Sequence, residues 1–533
     1  MFTSNFKQQL ISFSLLAAIV SGCASGYAPA PASSEGGSAG GEATYSYAAP
    51  AAQSVVAEAA PTAMYFADYG VNGVVATSQD HLSTFGMDVD TGTYTLMRSY
   101  LNDGNLPPAD AVRVEELVNY FDYHYPYPDA AATFGITMDA APTPFGPSPM
   151  GEGRNTTLLR IGLQGYDIPA DARKDVALTF VIDVSGSMDM ENRLGLAKRA
   201  LNLLVEELRP TDTVAIVVYG SRARTVLPMT SAAEKNTIID AIGRLAPDGS
   251  TNAEAGLRMG YELAWRAYNP NAINRVVLIS DGVANVGQTG PDAILATIAQ
   301  YAAQGITMTS VGVGMGNYND VLMEQLADQG DGFYAYVDDI AAARKLFVDD
   351  LTSTLQTIAK DAKIQVDFNP ETVASYRLVG YENRDVADDD FRNDEVDGGE
   401  VGAGHSVTAL YEVVLQPAVQ DTQAPLATVY VRWQDLTTGE VMESNRTLTY
   451  GAITPTFDAA APSFQLAATV AQYGEILRNS EWAGTTTLDE VLATAQQVET
   501  QLSATQGPDA AVTEFIDLVW RATQLRDAQA NAQ

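Results

Sequence analysis

The stretch Val176–Met188 constrains the fold of this chain more than any other. Val176–Ile182 is an unbroken apolar run containing β-branched residues, the pattern of a strand buried on both faces within a parallel sheet. The run stops at Asp183, and Ser185 and Ser187 follow at alternate positions. A carboxylate and two hydroxyls just past a buried strand form a compact set of hard oxygens, suited to a divalent cation such as Mg²⁺.

The surrounding residues extend this pattern. Between 175 and 358 the spacing predicts strands at Val176–Asp183, Thr213–Tyr219, Arg224–Pro228, Arg275–Asp281, Ile306–Val313 and Phe333–Val337. Helical patterns fall between them at Leu194–Leu208, Ala232–Leu245, Ala253–Ala267, Pro291–Gln304, Asp320–Gln329 and Ile340–Leu355. Such alternation predicts a doubly wound α/β domain. The short gap before Arg224 makes the third strand the antiparallel arm of a hairpin at one edge. In such a sheet the carboxyl ends of strands beside the topological switch point form the ligand-binding rim. Asp183, Ser185 and Ser187 would lie there, as would Asp281 and Thr251 in the loop Asp248–Asn252. The plainer reading of these five residues is that they cap helices and turns, as Ser, Thr and Asp often do.

In Asp183-Val184-Ser185-Gly186-Ser187, Thr251 and Asp281 the chain resembles the von Willebrand factor type A domain and its metal-ion-dependent adhesion site. The resemblance implies that Ser185 and Ser187 hold the metal directly, and that Asp183, Thr251 and Asp281 do so directly or through water. The ion would be Mg²⁺, with Mn²⁺ or Ca²⁺ as alternatives, and a carboxylate of a protein partner would complete its shell. In adhesion relatives the last helix of the domain, here Ile340–Leu355, shifts when the site is engaged. Ser83-Thr84-Phe85, Leu106-Pro107-Pro108, Asn119–Tyr123 and Gly402–His405 are also similar to the YfbK-like bacterial lipoproteins, a likeness covering about residues 81–525.

Around the α/β domain (173–360) the expected organisation is multi-domain. Residues 1–23 read as a lipoprotein signal: Lys7, the apolar stretch Leu10–Val20, then Val20-Ser21-Gly22-Cys23, which resembles a lipobox. Cleavage would leave Cys23, the single cysteine, to carry the lipid; an ordinary signal peptide is the alternative. Ala24 in place of Asp favours the outer membrane, by the same resemblance. Residues 24–80, rich in Ala, Gly, Ser and Pro, read as a flexible tether. Residues 81–172 form an α+β region with helices at Thr91–Leu101 and Asp110–Tyr123 and strands at Phe134–Met138 and Leu158–Gly165. Residues 361–451 return to period two, and the two flanks are expected to pair as an antiparallel β-sandwich that clasps the α/β domain. Residues 452–533 form a C-terminal helical region, with helices at Ser463–Arg478, Thr487–Leu502 and Pro508–Leu525 and Ser463 as a cap.

A net charge of −36 disfavours nucleic acid and anionic membrane surfaces as partners. Together the two resemblances imply a binding module of the bacterial cell envelope, anchored at Cys23 and gripping an acidic residue of a protein partner. No catalytic residue and no small-molecule substrate is identified. A hydrolase using Ser185 or Ser187 is the alternative, yet no Gly-x-Ser-x-Gly elbow surrounds either serine. An envelope assembly or stress scaffold is the third reading. Gly312–Asn317 lacks the third glycine of a dinucleotide fingerprint and reads as a loop near the metal face. The acidic run Asp388–Asp390 reads as a solvated loop, His405 as a turn or core histidine, and the tyrosines at 120, 123, 125 and 127 as packing.

Overall fold

The computed structural model describes residues 64–129, 132–145, 150, 156–282, 291–314, 318–436 and 438–532. The expected signal segment 1–23, with Cys23, and residues 24–63 lie outside the described residues. At the centre is a six-stranded sheet in the order Phe333–Val337, Ile306–Val313, Ile273–Ser280, Val176–Asp183, Thr213–Tyr219, Arg224–Ser231. All neighbours are parallel except the last pair, the expected edge hairpin. The four inner strands are almost wholly buried because both faces are covered by helices, which is why they read as continuous apolar runs. Leu178, Phe180 and Ile182 pack toward Arg193–Glu207 and Lys235–Gly243. Val181 and Val217 pack toward Ala253–Arg266 on the other face. Chain order reverses direction at Val176–Asp183, which has its successor on one side and Ile273–Ser280 on the other. The switch point lies between those two strands.

The flanks pair across the inserted α/β layer, as the period-two segments require. One antiparallel sheet runs Val75–Ala76, Val373–Val379, Ser406–Leu415, Thr157–Gly165, Phe134–Pro142. The facing sheet places Leu82–Gly86 and Val401–Gly402 on one edge of Thr357–Phe368, with Pro425–Asp435 and Val441–Thr449 on the other. Leu159, Ile161 and Leu163 meet Ile364, Val366 and Val429 between the sheets.

Five expectations are corrected. The stretch 24–80 is not a tether throughout: Tyr65 N–H donates to Tyr318 C=O (3.0 Å), and Val75–Ala76 pairs with Ser375–Tyr376. Met64 and Phe66 also pack on the α/β core. The helix expected over Asp110–Tyr123 is only Val114–Asn119, because Arg113 is extended (φ −93°, ψ 116°). The last helix, Ile340–Leu355, is broken by a wide turn at Lys345–Asp349. There Asp350 N–H reaches Lys345 C=O (2.8 Å), five residues back, and buried Arg275 donates to the Thr354 carbonyl of the final turn. Pro462, not a Ser463 cap, opens the first C-terminal helix, Pro462–Leu477. Finally, the C-terminal helical region expected at 452–533 does not stand apart as a domain of its own. Val470, Tyr473, Phe515 and Val519 share one core with Tyr94, Leu117 and Phe121 from the other end of the chain. Among the described residues, no helix is long and apolar enough to cross a membrane.

Candidate metal centre

The site is built by main-chain contacts before any side chain is considered. Past Asp183 the chain leaves the sheet, and Val184 N–H donates to Tyr219 C=O at the end of the neighbouring strand (2.8 Å). Val184 C=O then accepts from Asp248, and Gly186 N–H donates to Gly249 C=O (2.9 Å). Ser221 holds the same loop, its N–H donating to Asp248 C=O and its Oγ accepting from Ser250 N–H (3.1 Å). The loop that carries Thr251 is thus laced to the segment that carries Ser185 and Ser187. Gly220 makes this approach feasible, because a Cβ there would sit 1.9 Å from the Asp248 carbonyl oxygen.

On this frame the oxygens converge. Ser185 Oγ lies 3.0 Å from Ser187 Oγ, which donates to Asp281 Oδ1 at 3.1 Å. Asp183 Oδ1 accepts from Ser185 N–H (2.7 Å) and Oδ2 from Ser280 Oγ (3.0 Å). Four of the five expected residues therefore form one bonded network, and Thr251 lies on the laced loop beside it. Asp183, Ser185 and Asp281 are buried, whereas Ser187 and Thr251 are half-buried, so the set opens outward on their side. Oxygens adjacent in an octahedral shell around Mg²⁺, each about 2.1 Å from the ion, stand about 3.0 Å apart. Both hydrogen-bonded separations are compatible with that edge, and the all-oxygen donor set suits Mg²⁺, Mn²⁺ or Ca²⁺ over a softer ion. The residues present fit the ion.

Burial pushes the Asp183 carboxyl up to about 6, with the Asp281 charge adding to the rise and hydrogen bonds from Ser185 and Ser280 opposing it. A bound cation requires the ionised form. Mg²⁺ affinity is therefore expected to be level at neutral pH and to fall about tenfold per pH unit below about 6, which calorimetric titration from pH 5 to 8 measures.

The sequence reading missed Arg193. Its Nη1 donates to Asp281 Oδ2 at 2.8 Å, and Nη2 lies 3.3 Å from exposed Glu191. Gly314, within the stretch Gly312–Asn317 expected near the metal face (315–317 lie outside the described residues), lies against this side chain: a Cβ there would meet Arg193 Cδ at 2.4 Å. No local signal marks the arginine, because its partner carboxylate is 88 residues away. A guanidinium touching one of the expected ligand carboxylates would oppose a second cation there through Coulomb repulsion. Arg193→Met is expected to bind Mg²⁺ about tenfold more tightly by the same titration.

The remaining residues considered in the sequence lie elsewhere. His405 Nδ1 accepts from Gly402 N–H (3.3 Å) in a turn, and burial lowers its pKa to about 4. Asp388–Asp390 is a short 3₁₀ turn. Tyr120 stacks on Tyr94 at 3.6 Å, Tyr123 and Tyr125 are buried, and Tyr127 is exposed.

Comparison with known proteins agrees with this architecture. The family profile described as von Willebrand factor type A domain matches residues 177–349. A von Willebrand factor profile matches 60–150, and that of the C-terminal region of the uncharacterized protein YfbK matches 353–525. YfbK of Escherichia coli K12 is 36% identical over 490 residues, covering 88% of this chain and 82% of that one. The chain belongs to the YfbK family. Outside it, inter-alpha-trypsin inhibitor heavy chain H2 of Sus scrofa is 26% identical over 189 residues, 33% of this chain and 20% of that one. The solved von Willebrand factor type A structure from Catenulispora acidiphila covers 72% of this chain and 89% of its own, at 17% identity and a TM-score of 0.41. The YfbK match runs through both flanks as well as the α/β layer, in keeping with the interleaved fold.

Proposed function

We propose that this YfbK-family protein is a cell-envelope lipoprotein that binds a protein partner through a divalent metal at Asp183, Ser185, Ser187, Thr251 and Asp281. The observation that carries the reading is the Ser185–Ser187–Asp281 chain of oxygens at the switch point, with Arg193 on the far oxygen of Asp281. Two carboxylates and one guanidinium leave a divalent ion with one uncompensated positive charge. An acidic side chain from a partner neutralises it, and the half-buried side at Ser187 and Thr251 gives that side chain access. When bound, the metal supplies a Lewis-acidic point for an oxygen ligand. The residues of the chain hold it and keep water from the inner carboxylates. Anchorage through lipid at Cys23, in the outer membrane, follows from the lipobox-like sequence.

A binding role is favoured over hydrolysis by what surrounds the serines. The chain has three histidines, and none serves Ser185 or Ser187: His81 bonds Asp367, His124 bonds Asp122, and His405 lies in its own turn. The test is retention from solubilised bacterial envelopes on the immobilised protein. A defined partner is expected to bind in Mg²⁺, to release in EDTA and to be absent with Asp183→Ala. Equal retention under all three conditions contradicts the proposal.

A further inference from the structure

The helix Asp320–Asp328 carries Asp320, Glu324 and Asp328 four residues apart, so three carboxyls share one face. Two arginines from outside the α/β layer meet that face. Arg113, just before helix Val114–Asn119, reaches Asp320 (3.0 Å) and Glu324 (2.8 Å). Arg384, in the loop after sandwich strand Val373–Val379, reaches Glu324 (3.2 Å) and Asp328 (3.1 Å). Glu324 thereby joins the N-terminal region, the metal-bearing layer and the sandwich.

The joint holds more acid than base. Arg384 also contacts Asp88 (3.0 Å) and Asp90 (3.5 Å), which follow strand Leu82–Gly86, and Arg113 pairs with Glu116. Six carboxyl groups thus share two guanidiniums. Asp88, Asp90 and Glu324 are buried, and each places an oxygen within 4.8 Å of the other two. Asn383 Nδ2 donates to Glu324 (2.8 Å), and Tyr69 stands near enough to feel its charge. Tyr334 N–H donates to Asp90 Oδ1 (3.1 Å), and its hydroxyl donates to Asp320 (2.7 Å). Glu115, buried beside Glu116 and near Glu382, has no side-chain hydrogen-bond partner for either oxygen among the described residues. So many ionised carboxylates cannot share a buried volume without protons or further cations.

We propose that this joint is a proton-responsive clamp, holding the metal-bearing layer to its two flanks while surplus carboxyls are protonated and loosening as they ionise. Burial pushes Glu324 up to about 7, against the pull of Arg113 and Arg384. Burial and neighbouring Asp88 raise Asp90 well above the usual carboxylate range. The sign follows from linkage. A carboxyl whose folded pKa is raised contributes stability below its unfolded value. That contribution is lost as pH climbs to the folded value, about tenfold in the opening equilibrium per pH unit per proton. For Glu324 the loss is complete near pH 7; for Asp90 it extends further. Helix Asp320–Asp328 packs on strands Ile306–Val313 and Phe333–Val337, so the clamp bears directly on the α/β sheet.

The test is amide hydrogen exchange on the full chain in saturating Mg²⁺, corrected for intrinsic rates, at about pH 5.5 and 7.5. Amides of Asp320–Asp328 are expected to open at least tenfold more often at the higher pH, while those of helix Leu488–Gln506 do not change. Asp90→Asn keeps the acceptor for Tyr334 N–H, and it and Glu324→Gln are each expected to reduce the pH dependence. If Glu324→Gln does not fold, the wild-type and Asp90→Asn profiles decide. Exchange independent of pH in the wild-type protein, or an unchanged pH dependence in Asp90→Asn, overturns the clamp.

Discussion

Asp183→Asn is expected to abolish Mg²⁺ binding and, in EDTA, to leave the protein more stable than the parent. Asparagine has the same shape, and its oxygen can accept the Ser185 N–H bond that Asp183 Oδ1 accepts at 2.7 Å. Its amide can donate to Ser280 Oγ, which lies 3.0 Å from Oδ2. What disappears is a buried charge. The rise of this carboxyl from 3.8 to about 6 corresponds to a cost of about 3 kcal/mol at neutral pH. That cost is absent below pH 3.8 and complete above about 6, so urea denaturation at pH 7.5 should show most of the gain and denaturation at pH 4 little. A bound cation offsets the same cost in the parent, so added Mg²⁺ should stabilise the parent alone. A variant that is less stable than the parent in EDTA at pH 7.5 contradicts the assignment of Asp183 as a strained ligand.

Gly220→Ala is expected to weaken Mg²⁺ binding by tenfold to a hundredfold while the protein stays folded. The new Cβ would lie 1.9 Å from the Asp248 carbonyl oxygen. Both atoms belong to main chain, so the Asp248–Asn252 loop must move away. The contacts at risk are the bonds from Asp248 to Val184 and Ser221 and from Gly186 to Gly249, each contributing about 1 kcal/mol. Their loss takes Thr251 away from the rim and leaves the strands untouched. Circular dichroism of parental amplitude with weakened calorimetric binding is the expected pair of results; parental affinity would show that the lacing does not position the ligands.

What the sequence could reveal depended on whether its signal was local. Val176–Ile182 and its parallel neighbours announce themselves because strands buried on two faces need continuous apolar runs. The three pieces of the site were legible for a related reason: strand ends locate Asp183 and Asp281, and a helix start locates Thr251. Strand Leu82–Gly86 was missed because its partner, Thr357–Phe368, lies far along the chain and the segment itself is short and half polar. The break at Lys345–Asp349 carries no proline or glycine; it is a wide turn in which Asp350 N–H donates to Lys345 C=O. Arg193 was silent because its role is fixed by a carboxylate just past a distant strand. The clamp left one readable trace, the four-residue spacing of Asp320, Glu324 and Asp328, but Arg113 and Arg384 come from opposite sides of the insertion.

Whether these scattered oxygens hold one divalent ion is decided by anomalous diffraction at the manganese edge from crystals soaked in Mn²⁺. One strong peak is expected within bonding distance of Ser185 Oγ and Ser187 Oγ, lost in Asp183→Asn. No peak there, or a peak only among other carboxylates such as Asp361, Asp397 and Glu400, would contradict it.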